Sequence, residues 1–410
     1  MNIAVPYPKL KHKLPPPSAE ERSNDLERRR ELGQFFTPAG VAGFMWDFLE
    51  IIHGGAFSTN TRLIDPACGD CVFLRVANER GRLPAGCLFG TDIDEALVAA
   101  WRRDSLLGNA NVHLVNGLAD EPALGIREGT FDIAAGNPPF SGKGLRELLM
   151  LLEDHGDAER HEEQDFFQAS CLKEEVTAPR QPLSRQERAE LDRLVRILSQ
   201  FDCWRLTAPT ADDDEVDAES EDSSTDLFAG MILNDKSRPT ASDYERAAHL
   251  IAHWPSDRLL DTTRPEIRDV IHRLASTAIE VFFTERFLRL AKPDGLIAVI
   301  VPESIVASDR LNPLRHWLIE RMDVLATVGL PQKVFTGVGA NAKTTILFAR
   351  RLRRVRPDGW WLEGAEDRSH ADRSVLLTAP RFDSPVWSLE NYLEGVLESA
   401  RRHDFRSSER

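Results

Sequence analysis

The chain has 410 residues, is 42% hydrophobic and 29% charged, and carries a formal net charge of -15 at pH 7. A chain of this size and apolar content can bury one large core or two modest ones. No stretch approaches the roughly 20 consecutive apolar residues of a membrane-spanning helix. Residues 1–22 also lack the apolar centre of a secretory signal. We therefore expect a cytoplasmic protein that makes no contact with a membrane.

The acidic balance by itself argues against a nucleic-acid partner, because contacts with phosphates dominate the affinity of proteins for DNA. The charge is unevenly distributed, however. Residues 211–226 read ADDDEVDAESEDSSTD, and we predict a solvated, disordered acidic stretch from about residue 206 to 226. Each basic cluster is most simply solvated surface, although several together could form a DNA-facing stripe; the clusters are Lys9–Lys13, Arg28–Arg30 and Arg350–Arg356.

The cysteines are few and odd in number, which favours reduced thiols over a disulfide framework. Cys68 and Cys71 have the C-x-x-C spacing of zinc and redox sites. Because no second pair of cysteines or histidines lies at ligand spacing, we expect no metal site. We interpret both residues as small buried side chains in a ligand-binding loop.

The predicted elements begin after an extended N-terminal arm at residues 1–30. Short apolar strands and amphipathic helices then alternate up to residue 140, which predicts a parallel, doubly wound α/β sheet. The predicted strands are Arg62–Asp65, Leu88–Asp92, Val112–Val115 and Phe131–Gly136. The predicted helices are Val72–Arg80 and Asp94–Leu106.

The alternation breaks at residues 141–265, which are polar and irregular, with helical pieces near 186–202 and 241–253. A structureless loop of this length is uncommon inside a domain, so we predict a largely helical insertion.

The α/β pattern then resumes, and we predict one catalytic domain made of residues 31–140 and 266–350. The elements of its second part are a helix at Glu266–Leu290, a turn at Pro293-Asp294-Gly295, a strand at Leu296–Val301, a helix at Pro313–Met322, and strands at Val324–Val328 and Thr344–Ala349. Residues 351–410 are a C-terminal tail that could contact a partner protein or DNA.

Two motifs follow the first two strands. The strand that ends at Asp65 leads into a small-residue loop, Pro66-Ala67-Cys68-Gly69, where backbone N–H groups and a helix N-terminus can approach a ligand closely. By itself this loop fits any Rossmann-like nucleotide site. The next strand ends in Asp92-Ile93-Asp94, where a carboxylate can accept hydrogen bonds from ribose hydroxyls. Asp92 lies nearer the strand end, and Asp94 is the alternative or caps the following helix.

The sharpest motif is Gly136-Asn137-Pro138-Pro139-Phe140, directly after the fourth strand. Two prolines make the turn rigid and remove backbone donors. The side-chain carbonyl of Asn137 and a nearby backbone carbonyl then present acceptors to one amino group, and Phe140 offers a flat stacking face. A lone Asn-Pro pair would indicate only a tight turn, but its place behind the two preceding motifs favours a binding site.

Two further segments call for interpretation. Gly33-Gln34-Phe35-Phe36-Thr37-Pro38 precedes an amphipathic stretch, with Thr37 as the predicted helix cap and Pro38 as the first helical residue. Gly337–Thr344 looks like a phosphate-binding loop, but Ala342 stands where that loop requires glycine, and the segment runs into a strand. We therefore do not expect it to bind a nucleoside triphosphate.

The motifs GQFFTP, DPACG, GTDID and NPPF, in this order, resemble those of the N6-adenine DNA methyltransferases of bacterial restriction–modification and phage-defence systems. The resemblance covers residues 26–140 and 275–350. It implies a Rossmann-like sheet of seven strands, one of them antiparallel, that binds S-adenosylmethionine. The implied reaction is methylation of the N6 amino group of an adenine flipped out of double-stranded DNA, with no metal.

The resemblance also assigns roles to individual residues. Those expected to contact the donor are Phe35, Phe36, Thr37, Pro38, Asp65, Ala67, Gly69, Asp92, Ile93 and Asn137. Those expected to hold the adenine and act in catalysis are Asn137, Pro138, Pro139 and Phe140. The Asn137 side chain and the Pro138 carbonyl would accept hydrogen bonds from the amino group and raise its nucleophilicity.

Three features depart from the family pattern. The donor loop usually ends Gly-x-Gly, whereas Cys71 stands here in the last position, where its Cβ crowds the ligand or repacks a helix. A Gly-Asp pair that holds the donor's adenine usually follows the third strand, and here the segment is Asn116-Gly117-Leu118-Ala119-Asp120. The tail is short for a DNA-reading domain, so the insertion or a specificity or defence-system partner protein would supply target recognition.

Two other functions remain compatible with the sequence. The same pocket could methylate RNA or a protein glutamine. Alternatively, the altered donor loop and the missing Gly-Asp pair would suit a catalytically weak or inactive donor-binding scaffold in a defence complex.

Overall fold

A computed structural model of the chain describes residues 37–140, 149, 152, 183–206, 241–335, 343–356, 375–380 and 388–405. The predicted features that lie outside this part are the arm at 1–30, Phe35 and Phe36, residues 207–226 of the acidic stretch, and residues 337–342 of the glycine-rich segment. The chain divides into two compact units, Met1–Gly142 with Ala278–Arg410, and Lys143–Thr277.

The first unit is built on a single sheet of eight strands in the order β3-β2-β1-β4-β5-β7-β6-β8. Strands β1 to β5 are mutually parallel, β7 is antiparallel to β5 and β6, and β8 is parallel to β6. The strands are β1 Leu63–Asp65, β2 Leu88–Asp92, β3 Asn111–Leu114, β4 Phe131–Gly136, β5 Ala291–Pro302, β6 Met322–Leu330, β7 Thr344–Arg351 and β8 Leu376–Thr378. The predicted doubly wound sheet with one antiparallel strand is confirmed.

The sheet has one strand more than the seven that were predicted. The additional strand, β8, lies in the segment that the sequence analysis treated as a tail. It spans three residues, which is too short for an alternating pattern to reveal it. It becomes a strand by pairing with Ala326–Val328 of β6.

The helices of the first unit pack on both faces of this sheet. They are α1 Ala39–His53, α2 Val72–Glu79, α3 Glu95–Arg103, α8 Ile279–Leu290, α9 Glu303–Ala307, α10 Asn312–Ile319 and α11 Leu389–Arg402. On one face α1 packs against α2, α11 and β5, and the Phe48 ring stacks on Phe348 of β7 at 4.1 Å. Helix α8 packs on β4 and β5.

The alternation of side chains along the central strands explains why both faces are covered. In β5, Leu296, Ala298 and Ile300 belong to the apolar cluster that includes α1 and α11. The intervening Ile297 and Val299 point to the other face and are also buried. Because successive residues of a strand face opposite sides, a strand that is apolar throughout must be buried on both sides.

The second unit is helical in the part that the structure describes. Its helices are α4 Arg185–Leu198, α5 Cys203–Leu206, α6 Ala241–Ala252 and α7 Pro265–Ser276. Ser184 and Glu187 form a capping box that begins α4. Arg196 of α4 donates to the carbonyls of Trp254 and Arg258, just beyond α6. The predicted helical pieces near 186–202 and 241–253 are both found, and Leu206, where the acidic stretch was predicted to begin, ends α5.

Several predicted boundaries are wrong, among them the end of the helix predicted at Pro313–Met322, since α10 ends at Ile319 and Met322 begins β6. The single helix predicted at Glu266–Leu290 is interrupted at Thr277 and Ala278, which have extended backbone. The Thr277 hydroxyl donates to the Arg273 carbonyl, and such side-chain bonds compete with the helical ladder. At the start of the chain, α1 begins at Ala39 with Pro38 at the cap position, so Thr37 lies one residue too early to cap the helix.

The turn predicted at Pro293-Asp294-Gly295 lies within β5 instead of before it. Phe131 of β4 pairs with Ala291, while Ile133 pairs with Leu296, so the intervening residues of β5 bulge out of the ladder. Asp294 within this bulge has φ 64°, in the left-handed region.

Candidate active site

The predicted motifs meet at the carboxyl edge of β1, β2 and β4. Asp65 ends β1, Asp92 ends β2 and Gly136 ends β4, and β1 pairs with both of the other strands. Parallel strands bring their carboxyl ends to one edge, where doubly wound sheets bind ligands. The contact is close, since a Cβ added to Gly136 would lie 2.4 Å from Asp65 Oδ1.

The loop after β1 is held by the carboxylate that ends β2. Asp92 Oδ2 accepts from Gly69 N–H at 2.8 Å, and Asp92 Oδ1 accepts from Asp94 N–H at 3.0 Å. Asp65 Oδ1 accepts from Ala67 N–H at 3.1 Å. Asp94 caps α3 by accepting from Ala96 N–H, so it takes the second of the two roles that the sequence left open for it.

Two further contacts fix the shape of this loop. Cys68 N–H donates to the Thr91 carbonyl at 2.9 Å, and the indole N–H of Trp101 donates to the Gly69 carbonyl at 2.9 Å. Trp101 lies on α3, and the sequence analysis missed it. A tryptophan on the polar helix after an acidic motif is the one signal that pointed to it.

Cys71 adopts the left-handed conformation, with φ 64°, that glycine favours. Its side chain is buried, with Sγ 3.5 Å from Cys68 Sγ. The Cys71 side chain is therefore directed into the core at the start of α2. Both thiols are buried, as predicted.

A buried arginine on α8 holds residues 117–120, the segment that follows β3. Arg286 of α8 is 1% exposed, and its guanidinium donates to the Gly117 carbonyl, the Ala119 carbonyl and Asp120 Oδ1 at 2.9, 2.6 and 2.8 Å. The Asp120 carboxylate is thus engaged in an ion pair. Arg286 was not among the residues predicted from the sequence, although a charged Glu-Arg pair among the phenylalanines of α8 is an available signal.

The Asn-Pro-Pro-Phe motif follows β4 directly. Asn137 and Pro139 are half-buried, Pro138 is buried, and the Asn137 side-chain oxygen is itself buried. Phe140 is 3% exposed and belongs to the apolar cluster of the sheet. Among the predicted donor contacts, Ala67 and Gly69 are half-buried and Thr37 is buried, whereas Ile93 is 62% exposed.

A model of the N-6 DNA methylase family matches residues 23–178 and 250–377, which is more than half of the chain. The chain belongs to the N-6 DNA methylase family. No curated protein sequence matches it.

The following solved structures are similar to this N-6 DNA methylase family member at low sequence identity. A proposed class I S-adenosylmethionine-dependent methyltransferase from Listeria monocytogenes has a TM-score of 0.44 and 13% identity, covering 93% of this chain and 77% of that one. A type I restriction-modification methyltransferase subunit from Streptococcus thermophilus has a TM-score of 0.41 and 15% identity, covering 90% of this chain and 54% of that one. A modification subunit of a proposed type I restriction enzyme from Vibrio vulnificus YJ016 has a TM-score of 0.40 and 16% identity, covering 81% of this chain and 48% of that one. The chain spans about half the length of the last two.

The basic cluster Arg350–Arg356 of this methylase lies away from the candidate site. Because β7 is antiparallel, its end at Arg351 lies at the amino edge of the parallel strands. Arg351 donates to the carbonyls of Arg289 and Ala291, and Arg353 pairs with Asp294. These arginines bind groups at the amino edge of the parallel strands, so this cluster does not join a DNA-facing stripe at the site.

No helix in the described part of the methylase is long and apolar enough to cross a membrane.

Burial makes Asp65 a pH-sensitive group. Burial raises the pKa of the Asp65 carboxyl well above its usual value, despite the bond from Ala67, and nearby Asp92 acts in the same direction. Burial also raises the pKa of Asp92. The folded methylase therefore holds a proton on Asp65 more tightly than the unfolded chain does. The stability that this proton contributes is complete below the unfolded pKa of about 3.9 and is lost as pH rises through the folded value.

Asp65→Asn, which cannot ionise, is expected to raise the melting temperature, and the gain should be larger near pH 8 than near pH 5. Thermal unfolding at both pH values measures it. Asp257→Asn, at an exposed position of the second unit, is the matched control. A gain that is equal at both pH values, or that shrinks as pH rises, would contradict the assignment.

Proposed function

We propose that this chain transfers a methyl group from S-adenosylmethionine to the N6 amino group of an adenine flipped out of double-stranded DNA, as part of a restriction–modification or phage-defence system. The observation that carries the proposal is the convergence of two motifs at one sheet edge. The donor-type loop 65–69 is bonded to Asp92, and Asn137 follows the strand that packs on Asp65. Membership of the N-6 DNA methylase family supports the same reaction.

The residues at the carboxyl edge of β1, β2 and β4 fit S-adenosylmethionine. Its sulfonium and ammonium groups are cationic, and Asp65 and Asp92 supply carboxylates beside a loop that Gly69, at φ 51°, turns sharply. Asp92 ends β2, where a carboxylate can accept hydrogen bonds from ribose hydroxyls. Ile93, next to it and 62% exposed, offers an apolar face for the donor's adenine. Ala67, Asn137 and the Thr37-Pro38 segment, with Phe35 and Phe36 before it, are the further proposed donor contacts.

The bound donor supplies an electrophilic methyl group. The residues of the chain act on the adenine. The Asn137 side-chain oxygen and the Pro138 carbonyl accept hydrogen bonds from the amino group, while Pro139 keeps the turn rigid. These acceptors stabilise the positive charge that develops on N6 until the nitrogen releases one proton to solvent, so catalysis consists of positioning and electrostatics.

Stacking of the base on Phe140 would contribute about 1–3 kcal/mol to binding. Because Phe140 is buried, this stacking requires that neighbouring side chains withdraw when the base enters.

The function is tested by incubating the protein with S-adenosylmethionine and double-stranded DNA and assaying a nucleoside digest for N6-methyladenine. RNA and a glutamine-containing protein substrate, assayed in parallel, separate the alternative acceptors. Methylation of DNA only in the presence of a specificity subunit would assign target recognition to a partner. Methylation of RNA or protein alone would overturn the proposal.

A scaffold that binds the donor without catalysis is the second candidate. It is favoured by the departure at residues 116–120, where Asp120 is paired with Arg286. Calorimetry with S-adenosylmethionine, together with the digest, discriminates between the two. Donor binding without methylation of any acceptor, with or without partner proteins, would favour the scaffold.

A further inference from the structure

We propose that Arg286 is a positioning residue of the methyl-donor site, which holds residues 116–120 against the loop 65–69 so that both segments keep the spacing the donor requires. The inference rests on the proposed function, since it assigns these two segments to the donor site. It concerns a side chain on a helix beneath the sheet, and Arg286 itself touches neither reactant.

The first support is the contact set of Arg286. The side chain reaches from α8 to three acceptors within residues 117–120. They are the carbonyls of Gly117 and Ala119 and the carboxylate of Asp120. A guanidinium presents its N–H donors in a rigid planar fork, so these three bonds also fix the direction of each acceptor. A lysine at this position has one nitrogen and cannot reach all three acceptors in this geometry.

The second support is the contact between the two segments. A Cβ added to Gly117 would lie 1.7 Å from the Pro66 carbonyl oxygen and 2.8 Å from Thr91 Oγ1. Thr91 Oγ1 in turn donates to the same Pro66 carbonyl at 2.9 Å. The backbone at Gly117 therefore lies directly against the donor loop, and a displacement of either segment displaces the other.

The third support is the free-energy cost of burying the charged guanidinium of Arg286. Arg286 is 1% exposed, whereas its partners Asp120 and Glu128 are 40% and 41% exposed. Burial lowers the pKa of Arg286, and the bond to Asp120 opposes that shift. An apolar side chain would hold α8 on the sheet without this penalty, and such replacements are often neutral or stabilising. An apolar side chain could not bind the carbonyls of residues 117 and 119.

The test compares Arg286→Lys with Arg289→Lys. Arg289 lies one turn further along α8, also pairs with Glu128, and makes its other side-chain ion pair with Glu285. Arg286→Lys is expected to raise the Kd for S-adenosylmethionine about tenfold, or about 1.4 kcal/mol. It should raise the KM for the donor in the same proportion, while kcat at saturating donor changes less than about threefold. Arg289→Lys should stay within about twofold of the wild type in each constant.

A second variant keeps the test decisive if Arg286→Lys does not fold. Asp120→Asn removes the half-exposed ionic partner and should raise the donor Kd by a smaller factor, about twofold to fivefold. Wild-type donor affinity in both Arg286→Lys and Asp120→Asn would overturn the inference. An equal loss in Arg289→Lys, or a fall in kcat with an unchanged donor KM, would also overturn it, because both indicate general damage to the fold.

The same measurements separate the inference from the proposed function. Wild-type protein that binds the donor but methylates no DNA overturns the proposed function alone, and the ratio of Kd values still tests Arg286. Wild-type protein that does not bind the donor overturns both proposals. Wild-type protein that binds and methylates, with unchanged variants, overturns only the role of Arg286.

Discussion

Asn137→Ala is expected to lower kcat for adenine methylation by about 10²–10³-fold, because it removes the side-chain acceptor that stabilises the charge developing on N6. The Kd for S-adenosylmethionine should change much less than kcat, since Asn137 is only one of several proposed donor contacts and the loop 65–69 is held by Asp92. Single-turnover methylation of DNA and calorimetry with the donor measure the two quantities on the same preparation.

Asn109→Ala is the control for this variant. Asn109 is exposed, and its side chain donates to the Ser105 carbonyl in a turn before β3. Its removal should leave both the rate and the donor Kd unchanged. Wild-type turnover by Asn137→Ala would remove this residue from the mechanism, and loss of donor binding would show that Asn137 serves the donor more than the base.

Gly117→Ala is expected to destabilise the first unit by about 1–3 kcal/mol or more, because the new methyl group has no space. The added Cβ would lie 1.7 Å from a backbone oxygen of Pro66, and a backbone atom cannot rotate away as a side chain can. The two segments must therefore separate, and we expect a lower melting temperature together with weaker donor binding. Thermal unfolding with and without S-adenosylmethionine reports both effects.

Gly86→Ala makes the same substitution in a turn where nothing lies within 4 Å of the added carbon. It should leave the melting temperature and the donor Kd near their wild-type values. If Gly117→Ala behaves like Gly86→Ala, the close packing of residues 116–120 on the donor loop is wrong, and the route by which Arg286 reaches that loop is lost.

The proposed stacking face for the base is covered, because Phe140 is 3% exposed and belongs to the apolar cluster of the sheet. In the proposed mechanism, entry of the base displaces the side chains that cover this ring, so the energy of uncovering Phe140 adds to the cost of base flipping.

The sequence by itself determined the class of fold and the edge at which the site lies. Apolar strands followed by Asp65, Asp92 and Asn137 could be placed without coordinates, because parallel strands separated by helices must bring their carboxyl ends to one edge. The motif order also led to the family. These features are local in the chain, and their meaning depends on the identity of a few neighbouring residues.

Tertiary structure alone decided how the site is supported. Arg286 is about 170 residues from the carbonyls that it binds, and no spacing rule links such distant positions. Only pairing with β6 makes Leu376–Thr378 a strand, and only antiparallel pairing sends Arg351 to the edge away from the site. Burial of Phe140 likewise depends on which helices cover the sheet. Long-range packing settles these features, because each depends on contacts between segments that are far apart in the chain.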